Sequence, residues 1–199
     1  MSSESANESP ADADKVLVAL AQSGDTSAFD QLVVRYSPRL YGMIYHMTSN
    51  NEDANDLTQD VFAKAYRSLS QFRGRSSFYT WIYAIGTNMT LNFLKKRNRR
   101  AAWSLDNLDS GIQNDEAMVD LAHAANPRHQ SDLNELQKKL NKAMQSLSND
   151  HRAVVTMFDI QGIPHAEISK ILKVSEGTVR SRLFYAHRQL QGHLEEFIK

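Results

Sequence analysis

Apolar residues recur every three or four positions along most of the chain, the period of helices that bury one face. A first short run carries Val16, Leu17, Leu20 and Ala21, with Asp14 placed to cap it and Gly24 to stop it. Asp25 or Thr26 opens a longer run through Phe29, Leu32, Tyr36, Leu40, Met43 and Met47, in which Pro38 is expected to kink or open the helix. Ser49-Asn50-Asn51 reads as a turn and cap. The next helix follows with Leu57, Val61, Phe62, Ala65 and Leu69 inward. Gln71 to Ser77 is a loop with a flexible Gly74 and Ser76 or Ser77 as the following cap. A fourth helix, to about Arg97, buries Phe78, Trp81, Ile82, Ile85, Met89 and Phe93, and sets Tyr79, Tyr83, Gly86 and Thr90 in a second stripe beside that face.

The period fails from Ala101 to Pro127, where Asp106, Asp109, Asp115, Glu116 and Asp120 come with no Lys or Arg. It returns at Leu133, Leu136, Leu140, Met144 and Leu147, then Val154 to Ile160. Gln161 to Pro164 breaks it again before Ile168, Ile171 and Leu172, and a turn over Lys173 to Gly177 leads to a last helix through Val179, Leu183, Ala186, Leu190, Leu194 and Phe197. The expectation is an all-α protein of two helical domains joined by a flexible acidic linker. Residues 1–13 form a disordered tail, 14–100 the first domain, 101–128 the linker and 129–199 the second domain.

Composition narrows the function classes. The 199 residues carry 23 Lys and Arg against 23 Asp and Glu, so net charge names no partner. The absence of cysteine removes disulfides, thiolate zinc sites and thiol nucleophiles. The longest purely apolar run, Val16 to Ala21, is far too short to span a bilayer, and the acidic, Ser-rich start lacks the features of a secretion signal. A cytoplasmic protein without membrane insertion is expected. The seven histidines show no metal spacing, and neither an HExxH nor a P-loop glycine pattern occurs. No enzyme and no cofactor are expected.

Charge distribution changes the picture more than the total does. Glu52, Asp53, Asp56 and Asp60 make the start of the third helix acidic, which taken alone reads as a solvated face well placed on the helix dipole. From Val61 to Arg100 there is no acid, while nine cations from Lys64 to Arg100 alternate with Phe72, Phe78, Tyr79, Trp81, Tyr83 and Phe93. Cations mixed with aromatics suit a polyanion whose bases can stack, which describes unwound nucleic acid. Phe78, Trp81 and Phe93 read mostly as core; Tyr79 and Tyr83, off that face, are the better candidates for base contact.

Pro164 to Arg188 has helix-turn-helix spacing: small Ser169 at the crossing, Val174 plugging the turn, Val179 anchoring the second helix, and Thr178 or Ser175 capping it. Lys173 stands where the turn usually has Gly, so a left-handed conformation is expected there. Arg180, Ser181, Tyr185 and Arg188 face outward, with no acid from Gly177 to Gly192. Such a helix can enter a major groove.

Taken in order, FDQLVVRY, DANDLTQDVFAKAYRSLSQFRG, SSFYTWIYAIGTNMTLNFLKKRNRR and HAEISKILKVSEGTVRSRL resemble an extracytoplasmic-function sigma factor of the sigma-E type, across both domains. Each word alone is loosely specific; four in order at the right distances are strong. The resemblance implies that the first domain is sigma region 2 and the second is region 4, a helix-turn-helix of winged-helix-like type. It implies core RNA polymerase as partner, through its beta-prime clamp helices and beta flap. The beta-prime contact would fall on Asp53, Asp56, Leu57, Gln59, Asp60 and Phe62, which makes the acidic face partner-facing rather than merely solvated. Phe72, Arg73, Arg75, Ser76, Ser77, Tyr79, Tyr83, Asn88 and Lys95 would capture a flipped base of the promoter minus-ten element. Ser175, Thr178, Arg180, Ser181, Arg182, Tyr185 and Arg188 would meet the minus-thirty-five element, partly through DNA shape. Tyr185 and His187 stand where the sigma-E pattern has basic residues. An anti-sigma factor and a role in a stress response follow from the same resemblance.

The alternative is a two-domain helix-turn-helix repressor or activator with a sensing or dimerising N-terminal half. It would share the second domain but has no use for an acid-free aromatic loop and helix in the first. A purely structural adaptor leaves the cations of Lys95 to Arg100 and of the last helix unexplained.

Overall fold

The structure, a computed structural model, describes residues 10–105 and 139–198. Residues 1–9, the linker beyond Leu105, Leu133 and Leu136 lie outside them, as do the side chains of Leu194 and Phe197. No strand occurs among the described residues.

Helix α1 (Pro10–Gln22) starts four residues before Asp14, with Pro at its first position, where a missing N–H removes no bond. The tail expected over 1–13 is therefore helical from Pro10. Asp14 is also no cap: it is buried inside α1, and its carboxylate accepts from Arg35 and the Tyr36 hydroxyl. Asp25 does cap α2 (Thr26–Thr48), accepting from Ser27 N at 2.9 Å and Ala28 N at 3.3 Å. Pro38 sits inside this one uninterrupted helix; it and Val34, whose carbonyl loses its helical donor, are both exposed, so water can satisfy that carbonyl. Ser49 ends α2 in the left-handed conformation, and the Asn50 side chain caps α3 (Asn51–Ser68) on Asp53 N at 2.8 Å.

A 3-10 turn (Leu69–Gln71) leads into the loop 72–77, where Gly74 takes a φ of 65°. Ser77 caps α4 (Phe78–Leu105) on Thr80 N at 3.0 Å. This helix runs past its expected end near Arg97. Gly86 lets it cross α2 closely: a Cβ there would lie 2.8 Å from Leu40 Cδ1. That approach explains a glycine inside a helix, where it otherwise destabilises.

In the second half, helical residues 139–146 (α5) precede α6 (Asn149–Val155), capped by Ser148, and a π-helical turn over Thr156–Ile160. Helix α7 (His165–Leu172) ends at Lys173, which is left-handed as expected (φ 54°, ψ 44°), and α8 (Glu176–Ile198) begins after Ser175. Val179 and Ile168 are fully buried where the two helices meet.

The two halves are not held apart. Their buried residues form one continuous core, with α7 against α4. Four hydrogen bonds among the described residues fasten the contact: Thr80 Oγ1 to Glu167 Oε2 at 2.9 Å, Gln161 Nε2 to the Arg39 carbonyl at 2.7 Å, Arg152 Nη1 to the Met47 carbonyl at 2.8 Å, and a longer one from Asn141 Nδ2 to the Tyr45 hydroxyl at 3.5 Å. Arg152 is buried and also donates to the carbonyls of Met144, Gln145 and Leu147. A guanidinium can serve so many acceptors because its five N–H groups are fixed in a plane. Burial, with Arg97 nearby, lowers its pKa to about 10, so it stays charged at neutral pH.

Candidate nucleic-acid and partner interfaces

The loop 72–77 is fastened at both ends. Gln22 Nε2 donates to the carbonyls of Leu69 and Phe72, each at 2.8 Å, and Ser77 holds the start of α4. Between the ends, Arg73 and Arg75 are exposed. Phe72 is half-buried, 4.9 Å from the Trp81 ring and edge-on to Phe78 at 6.2 Å. On one side of the loop a cleft of about 890 Å³ separates it from α1, lined by Lys15, Gln22, Tyr36, Arg75, Ser76 and Tyr79 among others. On the other a smaller recess of about 250 Å³ lies among Gln71, Phe72, Arg73, Arg75, Ser76 and Trp81. Trp81, expected in the core, is half-buried and walls this recess. Its only sequence signal was its step from the loop, one turn into α4.

Beyond Trp81, one face of α4 runs through Ile85, Asn88, Asn92 and Lys95, steps of three and four that superpose on a helix. Asn88, Asn92 and Lys95 are exposed. Asn88 stands seven residues from Trp81, roughly 10 Å along the axis. The stripe therefore grades from aromatic through amide to cation. No acid lies on α4; Asp14, on the wall of the cleft beside the loop, is paired with Arg35, and Glu167 is bonded to Thr80. At the far end of α4, Lys96, Arg99 and Arg100 gather around Trp103.

The tyrosines differ from expectation. Tyr79 is half-buried, and Tyr83 is fully buried 4.3 Å from the Tyr79 ring. Gln161 of the second half and Tyr79 lie beside the Tyr83 hydroxyl, but neither meets it in well-formed hydrogen-bond geometry, and Gln161 Oε1 is likewise left poorly satisfied. Burial pushes the pKa of both tyrosines up, so they stay neutral. Tyr83 is no open base platform in this arrangement, because the helix wheel places it off one face without saying what covers the next.

On α3 the expected acidic face divides. Asp56, Gln59 and Asp60 are exposed, together with Glu52. Asp53 is not unpaired: Arg97 reaches its carboxylate at 3.1 Å and also donates to the Thr48 carbonyl. Leu57 and Phe62 belong to the core, each 7% exposed, so they back the outer face rather than form it.

On α8, Ser175 is the cap, bonding Thr178 N at 3.1 Å and facing the Thr178 hydroxyl at 2.9 Å. Arg180, Ser181, Tyr185 and Arg188 are exposed as expected. Arg180 pairs with Glu176 at 3.2 Å within its own helix. Arg182 instead turns to Asp150 on α6 at 2.9 Å, a half-buried contact that ties the helix to its domain. Phe184, missed by the outward-face reading, is 62% exposed and edge-on to Tyr185.

An acid-free loop and helix in one half and a capped helix-turn-helix in the other define a two-part DNA-directed transcription factor. Residues 32–100 match the sigma-70 region 2 family and residues 137–190 the sigma-70 region 4 family. The chain is 35% identical over 187 residues to the ECF RNA polymerase sigma-E factor of Escherichia coli K12, spanning 94% of this chain and 96% of that protein. It is 32% identical over 188 residues to the RNA polymerase sigma-H factor of Pseudomonas aeruginosa, again spanning 94% of this chain and 96% of the relative. Among solved structures, CnrH in complex with the cytosolic domain of CnrY superposes with a TM-score of 0.67 at 26% identity, over 93% of this chain and 99% of that one. The chain belongs to the sigma-70 family of RNA polymerase sigma factors, in its ECF group. No helix among the described residues is long and apolar enough to cross a membrane.

Proposed function

We propose that this chain is an alternative sigma factor that binds core RNA polymerase and directs it to promoters through their minus-ten and minus-thirty-five elements. It works in the cytoplasm, in a stress response, and is held in check by an anti-sigma factor. The observation that carries the reading is the acid-free surface that continues from the loop 72–77 along Trp81, Asn88 and Lys95. A base taken out of the duplex leaves its stack at a cost of a few kcal/mol. Stacking on aromatic rings such as Phe72 and Trp81 offsets this, at about 1–3 kcal/mol per base. Ser76, Ser77 and Asn88 offer donors and acceptors to base edges, while Arg73, Arg75 and Lys95 meet phosphates.

The exposed Glu52, Asp56, Gln59 and Asp60 face of α3 is the docking face for the beta-prime clamp helices, backed by Leu57 and Phe62 and braced by the Asp53 pair with Arg97. The second half meets the beta flap and carries α8 to the major groove. There Ser181 and Tyr185 face base edges, Arg180 and Arg188 meet phosphates, and Ser175 and Thr178 set the helix N-terminus against the backbone. Arg182 orients α8 through Asp150 and does not itself reach DNA.

Size sets a condition on this mechanism. The two elements stand about 25 base pairs apart, roughly 85 Å of B-form DNA. A compact body of this many residues is roughly 40 Å across. The halves therefore separate when the chain engages polymerase and promoter, which also uncovers Tyr83.

Run-off transcription from a promoter of this class, with the purified chain and core polymerase, tests the reading. Phe72→Ala and Asn88→Ala are expected to reduce permanganate reactivity of promoter thymines more than binding to closed duplex. Duplex binding without any affinity for core polymerase would favour the repressor or activator instead.

A further inference from the structure

Gln22 lies on α1, outside the loop and outside the helix that follows it, yet its side chain is built into the loop. Both N–H groups of its amide are used: one on the Leu69 carbonyl and one on the Phe72 carbonyl, each at 2.8 Å. The Leu69 carbonyl also accepts Phe72 N at 3.0 Å, so the backbone on both sides of the Phe72 side chain is tied to one point. That point sets where the Phe72 ring stands against Trp81 and Phe78. The other end of the loop is held by Ser77 and Thr80. Between these fastenings the side chains of Arg73, Arg75 and Ser76 make no hydrogen bond among the described residues, and Gly74 occupies the left-handed region.

The Gln22 tie is independent of how the halves sit. It joins α1 to the 3-10 turn within the first half, whereas the bond from Thr80 to Glu167 crosses to the second. When the halves part, Thr80 loses Glu167 and Gln22 keeps both carbonyls. The loop then enters the promoter-engaged state with its Phe72 end still anchored from α1.

Resting on the function proposed above, we infer that Gln22 is a positioning residue for base capture: α1, through its amide, presets the Phe72 ring and forms the fixed wall of the cleft opposite Arg75 and Ser76. A primary amide is the side chain suited to this, since one nitrogen carries two donors and no charge. Glutamate would aim acceptors at two carbonyls. Leucine would keep the size and lose both bonds.

The test uses the full chain in complex with core polymerase, comparing wild type, Gln22→Leu, Gln22→Glu and the conservative Gln22→Asn. Three quantities are measured: affinity for a single-stranded non-template minus-ten oligonucleotide against a scrambled one, affinity for a minus-thirty-five duplex, and melting temperature. Gln22→Leu and Gln22→Glu are expected to reduce minus-ten discrimination roughly fivefold, the value of two partly exposed hydrogen bonds. Duplex affinity should hold, and any fall in melting temperature should not track the discrimination. Gln22→Asn, shorter by one methylene, should recover part of the loss. Unchanged discrimination in Gln22→Leu, with wild type still discriminating, overturns the inference alone. Equal losses on both DNAs, in step with melting temperature, also overturn it, since they mark a merely structural tie. If wild type itself shows no preference for the minus-ten strand, the base-capture reading beneath it fails instead.

Discussion

Thr80 donates its hydroxyl to Glu167 at 2.9 Å, so the residue that completes the cap of α4 is also bonded to the first helix of the helix-turn-helix. The loop 72–77 and the helix-turn-helix therefore share a fastening in the closed arrangement. Lys170 and then Thr80 hold the Glu167 carboxyl below its ordinary value. For a lowered carboxylate, the stabilisation is fully present above the ordinary value near 4.5 and is lost as pH falls through the lower folded value. Lys170 stays with Glu167 when the halves part, so only the share due to Thr80 is linked to closure. Fluorescence transfer between labels on the two halves should fall slightly on acidification below about pH 4.5 in wild type, and Glu167→Gln should remove that part of the dependence. An identical acid profile in the variant would show that the pair does not govern closure.

Arg152 is buried and satisfies four carbonyls at once, three within its own half and that of Met47 across the contact. Replacing it by Leu leaves several of these without a donor and should destabilise the chain by about 3 kcal/mol. Arg152→Lys should recover only a part, since a single ammonium cannot span the same acceptors. Denaturant unfolding measures both.

Tyr83 gives an effect of opposite sign. Its buried hydroxyl has no well-formed hydrogen bond to its neighbours Gln161 and Tyr79, so Tyr83→Phe removes a poorly satisfied group and should be neutral or stabilising by up to about 1 kcal/mol. A clear loss of stability would mean that the hydroxyl is bonded in solution. If the opened state uses the hydroxyl, promoter melting by the same variant should slow even though the fold does not weaken.

Asp53 and Asp56 are separable. Asp53→Ala breaks a partly exposed pair with Arg97 and should lower stability by less than about 1 kcal/mol. Asp56→Arg meets no cation among the described residues and should leave the melting temperature in place. Yet it should weaken binding to core polymerase more than Asp53→Ala does. Unchanged core affinity for a folded Asp56→Arg variant would remove α3 from the docking face.

On α8 the arginines should divide in the same way. Arg188→Ala should flatten the salt dependence of promoter binding by about one unit of slope, as expected for one phosphate contact. Arg182→Ala should leave the slope nearly unchanged and lower stability instead, because its guanidinium is engaged with Asp150. Equal slopes for both variants would mean that the outward face of α8 is wrongly assigned.

What could be read from the amino-acid order alone was local chemistry. Asp25, Asn50, Ser77 and Ser175 cap helices through bonds that span three residues or fewer, and Lys173 is forced left-handed by the turn it occupies. The helical period, the acid-free span from Val61 and the helix-turn-helix spacing were legible for the same reason, while the family was legible only from the resemblance of four sequence stretches in order. Period says which side of a helix is apolar, not what lies on it. Tertiary packing decided that Asp14 is a buried acceptor rather than a cap, that Asp53 belongs to Arg97, and that Arg182 belongs to Asp150. It decided that Leu57 and Phe62 serve the core and that Trp81 opens toward the loop. It also closed the halves on each other and buried Tyr83, because a side chain's burial and its partners depend on elements dozens of residues away whose placement no local pattern encodes.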